Sequence, residues 1–174
     1  MIDALGGGTY YSYDEVGNKL SQTDPNGNTT TWAYDNLGRV SKHTLPMGQF
    51  ETFEYDPVGN VIEKTDFNGD TTTYAYTDCC NRLERKVFAD GSEVSYAYTP
   101  TGKRETVTDA RGVTQYNYDL RDRLKKVTHP DATEVSYTYD SAGNRLSVAV
   151  PSGTTTYTFD ELNRLKTVTD PDGG

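Results

Sequence analysis

Six aspartates that recur at one turn position, two histidines and two adjacent cysteines are residues of this chain whose types and spacing could do chemistry. A carboxylate can act as a general acid or base, or ligate calcium. Asp14, Asp35, Asp56, Asp119, Asp140 and Asp160 each stand at the head of a short turn, where a small acid caps backbone N–H groups. The oxygen-rich stretches Asp24 to Asn28 and Asp66 to Asp70 lack the full spacing of a calcium loop. His43 and His129 lie far apart, and no GxSxG, HExxH, phosphate loop or Cys–His pair accompanies them. Cys79 and Cys80 are consecutive, a spacing that ordinary disulfide geometry does not fit. A metal there would need two more ligands, and neither histidine is close, so both cysteines read as turn substitutions. Catalytic residues, metal ligands and a cofactor are therefore not expected.

The elements that carry these residues repeat. A ring just before the turn recurs at Tyr13, Tyr34, Tyr55, Tyr76, Tyr98, Tyr118, Tyr139 and Phe159, about every 21 residues. Two places earlier stands another, at Tyr11, Trp32, Phe53, Tyr74, Tyr96, Tyr116, Tyr137 and Tyr157. Residues two apart share one face of a strand. Four places after the first set come Gly17, Gly38, Gly59, Cys80, Gly102, Asp122, Gly143 and Asn163. At Cys80 a side chain replaces a turn glycine, which predicts a positive φ and mild strain there.

A second turn recurs out of phase at Gly27, Gly48, Gly69, Gly91, Gly112, Gly153 and Gly173, with Ala132 in the remaining slot. Proline precedes it by two at Pro25, Pro46, Pro130, Pro151 and Pro171. The fourth copy carries one extra residue, and residues 1–8, with Gly6 or Gly7 in the second-turn slot, look like the tail of a preceding copy.

Each copy reads strand, turn, strand, turn. Thr29 to Tyr34 and Thr71 to Tyr76 are first strands; Leu83 to Phe88 is a second strand, in which Leu83 and Val87 share a face with Arg85 between them. Short linkers predict consecutive antiparallel hairpins. Helix is disfavoured, because no run between glycines reaches about 12 residues and β-branched residues dominate. The fold class is all-β: hairpins of about 21 residues forming one curved or spiralling sheet, a partial shell or barrel. About sixteen strands laid flat would span roughly 75 Å, and open sheets of more than about ten strands curl, spiral or close. Residues 1–174 read as one array of about eight copies, with no linker, composition shift or second domain.

Only 33% of the residues are hydrophobic, mean hydropathy is -0.78, and yet there are 14 tyrosines. Strict periodicity argues against disorder. The sheet is expected to rely on rings stacked across neighbouring strands, at about 0.5–1.5 kcal/mol per pair beyond area burial. A net charge of -9 speaks against nucleic-acid or anionic-membrane partners. No stretch approaches the about 20 apolar residues of a membrane span. The first residues, MIDALGGG, have neither the basic region nor the apolar core of a secretion signal.

The repeat resembles the Rhs or YD-repeat family. The likeness rests on YSYDEVGN at 11–18, WAYDNLGR at 32–39, FEYDPVGN at 53–60, YTYDSAGN at 137–144 and YTFDELNR at 157–164, with DPNG at 24–27 and DPDG at 170–173 as second turns. The resemblance implies β-sheet wound into a hollow shell that encloses a toxin in bacterial Rhs proteins and insecticidal toxin complexes, or builds an extracellular barrel in teneurins. It implies a wall segment of a longer secreted or cell-surface protein, with toxin cargo as a partner. Self-association through open sheet edges is a second expected contact. A different function class stays open: the rings, with Asp, Asn and Arg nearby, suit a carbohydrate or cell-surface binding module.

Overall fold

The computed structural model describes residues 7–173. Among them there is no helix, and every regular element is a strand. The chain divides into two compact units, Met1–Ser92 and Glu93–Gly174. The first holds β1 (Tyr10–Tyr13), β2 (Lys19–Thr23), β3 (Thr29–Tyr34), β4 (Val40–Thr44), β5 (Phe50–Tyr55), β6 (Val61–Thr65), β7 (Thr71–Tyr76) and β8 (Leu83–Val87). The second holds β9 (Glu93–Tyr98), β10 (Arg104–Asp109), β11 (Gly112–Tyr118), β12 (Leu124–Thr128), β13 (Glu134–Tyr139), β14 (Arg145–Val150), β15 (Gly153–Phe159) and β16 (Leu165–Thr169). Within each unit every strand pairs antiparallel with the next in sequence, as the all-β hairpin reading requires. The reading of residues 1–8 as a preceding tail falls mostly outside the described residues.

Both kinds of turn close in the same way, except at 109–112 and 150–153, where Asp109 pairs directly with Gly112 and Val150 with Gly153 across two-residue turns. In the first turn Asp35 donates its N–H to the carbonyl of Arg39 at 2.8 Å, and Gly38 donates to Asp35 at 3.0 Å. In the second, Asp24 donates to Asn28 at 2.9 Å and Gly27 to Asp24 at 3.0 Å. The residue two places before the returning strand is left-handed in these turns, a conformation glycine adopts at no steric cost. Where it is not glycine the backbone still complies: Asp122, Ala132 and Asn163 have φ of 59°, 63° and 58°. In the longer fourth turn the left-handed residue is Asn81, φ 54°, not Cys80. The extra residue moves the constraint one place on, to a side chain that tolerates it better.

The first strands end where the sequence places them, but the second strands hide an irregularity. Ala33 faces Lys42 and Tyr34 faces Val40, so Ser41 has no partner of its own. The same skip leaves out Leu20, Ile62, Glu84, Glu105, Lys125, Leu146 and Lys166. Each first hairpin therefore contains a β-bulge, and the bulge inverts the alternation beyond it. Leu83 lies opposite Tyr76 whereas Val87 lies opposite Thr73. Leu83 and Val87 are thus on opposite faces, against the simple period-two reading.

One face carries the repeated rings, while Tyr10 and Phe50 stand on the other. That other face carries hydroxyls that meet across strands: Ser12 with Ser21 at 2.5 Å, Thr65 with Thr71 at 2.9 Å, Thr158 with Thr167 at 2.6 Å. No second layer covers either face within a unit. Among the described residues only Val127, 8% exposed, is buried, and no side chain is fully so.

Candidate functional site

The residues singled out by the sequence converge on a spine of tyrosine and aspartate turns. The bulge sets it up. Strand β2 pairs with β3 only from Ser21 to Thr23, and β4 with β5 only from Lys42 to Thr44. Lys19 and Val40 lie beyond the last pair, and their carbonyls would face no strand. The tyrosine that ends the next first strand fills the place. Tyr34 donates its hydroxyl to the Lys19 carbonyl at 2.9 Å, Tyr55 to Val40 at 2.7 Å and Tyr76 to Val61 at 3.0 Å. In the second unit Tyr118 donates to Arg104 at 2.8 Å and Tyr139 to Leu124 at 2.9 Å. A carbonyl partly shielded from water gains from a donor, so this bond ties one copy to the one before it.

The aspartates do what their position suggests, and more. Asp35 Oδ1 accepts the N–H groups of Leu37 and Arg39, both at 2.9 Å, while Oδ2 accepts Nε of Arg39 at 2.6 Å. Asp119 and Arg123 repeat this arrangement. Asp56 and Asp140 bind the side-chain amides of Asn60 and Asn144 in place of a guanidinium. The residue four after the aspartate then reaches the following turn. Arg39 donates Nη1 to the Asp56 carbonyl at 3.0 Å, Arg123 to the Asp140 carbonyl at 2.8 Å, and Asn144 to Asn163 at 2.8 Å. The Arg39 guanidinium also lies 4.4 Å over the Tyr55 ring, and that of Arg123 lies 4.7 Å over Tyr139. The sequence shows this Arg or Asn as part of the motif, but its reach to the next copy depends on the sheet spacing and is not legible there.

These contacts shift titrations. The Arg39 backbone N–H holds the Asp35 carboxyl below its usual range; partial desolvation opposes this and the guanidinium adds to it. The Asn144 amide does the same for Asp140. Burial pushes the phenols of Tyr55, Tyr76 and Tyr118 up. Each pattern fits a group locked as donor or acceptor in one protonation state, and none resembles a carboxyl or imidazole tuned toward neutral pH for proton transfer.

Contrary to the sequence reading, the described rings within a unit are not seen to stack on one another copy to copy. Successive ring-bearing strands are separated by a second strand, about 10 Å across two spacings, which is too far for ring contact. Cations fill the interval. Lys19 Nζ lies 3.8 Å over Trp32, Lys64 lies 5.1 Å over Phe53, Arg104 lies 4.9 Å over Tyr96 and Arg145 lies 5.2 Å over Tyr157. Trp32 is flanked from β2 by Lys19 and from β4 by His43, whose ring stacks at 5.1 Å and 8°. His43 also meets Glu51 through Nδ1 at 3.0 Å, and Glu51 pairs with Lys64 at 2.8 Å. Burial works to raise the Glu51 carboxyl, but Lys64 and His43 hold it below its usual value. His129 lies in a second turn of the other unit. Among the described residues no group of three His, Cys, Asp or Glu is placed to hold a metal ion.

A family model described as RHS Repeat matches residues 13–49, 118–155 and 151–174. The chain belongs to the RHS repeat family. This RHS chain is also similar in fold to solved toxin structures at 22% sequence identity. The crystal structure of TcdB2-TccC3-Cdc42 superposes with a TM-score of 0.77 over 90% of the RHS chain and 10% of its own chain. The TcdB2-TccC3 crystal structure without its hypervariable C-terminal region also gives 0.77, over 91% and 10%. The Photorhabdus luminescens Tc holotoxin pore gives 0.76, over 91% and 10%. The RHS chain thus spans 10% of the length of each chain it matches. No curated protein matches it.

Proposed function

We propose that this RHS chain is a structural β-shell segment, a length of wall in a longer protein that encapsulates or presents a toxin or effector. The observation that supports it best is the spine: within the units, five copies are bonded to the copy before them by a tyrosine hydroxyl and, at several turns, by the Arg or Asn that follows the aspartate. Bonds of that kind make an array continuous and confer no chemistry. The fold likeness to Tc toxin chains agrees with it. The segment itself is read as non-catalytic. Its natural neighbours are further repeats of the same protein, with toxin cargo on one side of the wall and a secreted or cell-surface setting for the parent.

The carbohydrate reading fits the geometry poorly. A sugar needs an open aromatic face, whereas Lys or Arg covers Trp32, Phe53, Tyr55, Tyr96 and Tyr157. Electron cryomicroscopy of the parent protein tests the wall: these repeats should line a chamber with cargo density inside. Repeats standing apart from any enclosure, or saturable binding on a glycan array, would overturn it.

A further inference from the structure

The turn from Thr77 to Arg82 departs from its siblings. Its closure is one residue wider, from Asn81 N–H to the Thr77 carbonyl at 3.0 Å. Threonine replaces the aspartate, and Thr77 Oγ1 accepts the Arg82 N–H at 3.1 Å. Asn81 exchanges side-chain hydrogen bonds with Asn60 of the preceding turn, which anchors the returning side. At the free tip stand Cys79 and Cys80, the chain's two cysteines, both exposed and both reduced. Their sulfur atoms lie 2.6 Å apart.

Two exposed thiols pointing apart would be the ordinary outcome for consecutive residues. Here the two sulfurs lie together at the tip of the turn. We infer that Cys79 and Cys80 form a vicinal dithiol, a modification site that closes reversibly into an eight-membered disulfide ring by exchange with a low-molecular-weight disulfide such as oxidised glutathione.

The exchange needs no other reactant. The thiolate of one cysteine attacks a sulfur of the small disulfide, forming a mixed disulfide and releasing one glutathione thiolate. The second cysteine's thiolate then attacks the protein sulfur of that mixed disulfide, forming the intramolecular bond and releasing the second glutathione. Two protein thiols are oxidised, one small disulfide is reduced to two thiols, and the two cysteine protons pass to the departing glutathiones. The hydrogen bond from Cys79 pushes the Cys80 thiol up, so exchange should accelerate as pH rises through the thiol range. Closing the ring would stiffen the tip that Asn81 already ties to its neighbour.

The test is intact-mass spectrometry of the whole chain, with peptide mapping, after incubation with oxidised glutathione at mildly alkaline pH. A monomer lighter by two hydrogens, mapped to 79–80 and restored by a dithiol reductant, is expected. The variants Cys79→Ser and Cys80→Ser should keep the parent circular-dichroism spectrum and give only glutathione adducts. Phenylarsine oxide, which binds paired thiols with loss of water, should bind the parent chain one to one and neither variant. Stable adducts on both cysteines, disulfide-linked dimers in place of the ring, or arsenical binding that survives either substitution would overturn the assignment.

Discussion

The two units answer one structural question differently. The first ring of each copy faces one residue on the second strand. In the first unit those partners are Gln22, His43, Lys64 and Lys86, opposite Tyr11, Trp32, Phe53 and Tyr74. In the second they are Val107, Val127, Val148 and Val168, opposite Tyr96, Tyr116, Tyr137 and Tyr157. Directly opposite these rings the first unit sets polar or cationic side chains and the second sets valines, although arginines also lie over Tyr96, Tyr139 and Tyr157 of the second unit. Val127, 8% exposed, belongs to the second. Yet the spine of Tyr hydroxyls, capped aspartates and bulges is the same in both. The spine specifies the hairpins, and the ring partner tunes how dry each copy is.

The largest effect should be collective and equal in the two units. The carboxyls of Asp14, Asp24, Asp35, Asp56, Asp119, Asp140 and Asp160 are all held below the ordinary carboxyl range by hydrogen bonds from their own turns. A depressed folded-state value adds stability that is full above the unfolded value and is lost as pH falls through the folded one. Acid titration by circular dichroism should show melting that steepens below about pH 4. Stability unchanged through that range would mean that the caps contribute nothing.

Next in size is the tyrosine lock. Tyr76→Ala in the first unit and Tyr139→Ala in the second should each cost about 3 kcal/mol in denaturant titration. The phenylalanine variants should cost about 1 kcal/mol, the share of the hydroxyl bond. A difference above about 1 kcal/mol between the two sites would show that the ring partner reaches into the spine.

The units should part at the partner itself. Val127→Ala is expected to cost about 2 kcal/mol, and His43→Ala less than about 1 kcal/mol because its contacts are half-solvated. Equal costs would erase the distinction. The smallest change adds a bond. Phe159 occupies the lock position without a hydroxyl, and Phe159→Tyr should gain about 0.5–1 kcal/mol by reaching the Arg145 carbonyl.

Much of this was legible in the sequence. Rings two apart, a turn acid and a turn glycine define the strands, and Thr29–Tyr34 and Thr71–Tyr76 match residue for residue. The bulge was not legible, because its positions hold Leu20, Ser41, Glu84 and Lys125, which share no chemistry. Without the bulge, the face of Val87 comes out wrong and no acceptor for the tyrosine hydroxyl can be named. Ring stacking failed for a related reason: sequence spacing shows which face a ring is on but not that a strand stands between it and the next. The left-handed residue of the fourth turn was displaced from Cys80 to Asn81 by an insertion whose position the sequence leaves ambiguous.

The reach of the spine has one more consequence. Its described side-chain bonds join residues no more than 21 apart in sequence. Nothing in a unit waits for a distant segment before it can order. Such a chain can zip up behind an advancing end, each hairpin templating the next, with stability growing by near-equal increments. Lengthening it by whole copies would leave the earlier ones undisturbed, so evolution can change its length by duplication alone.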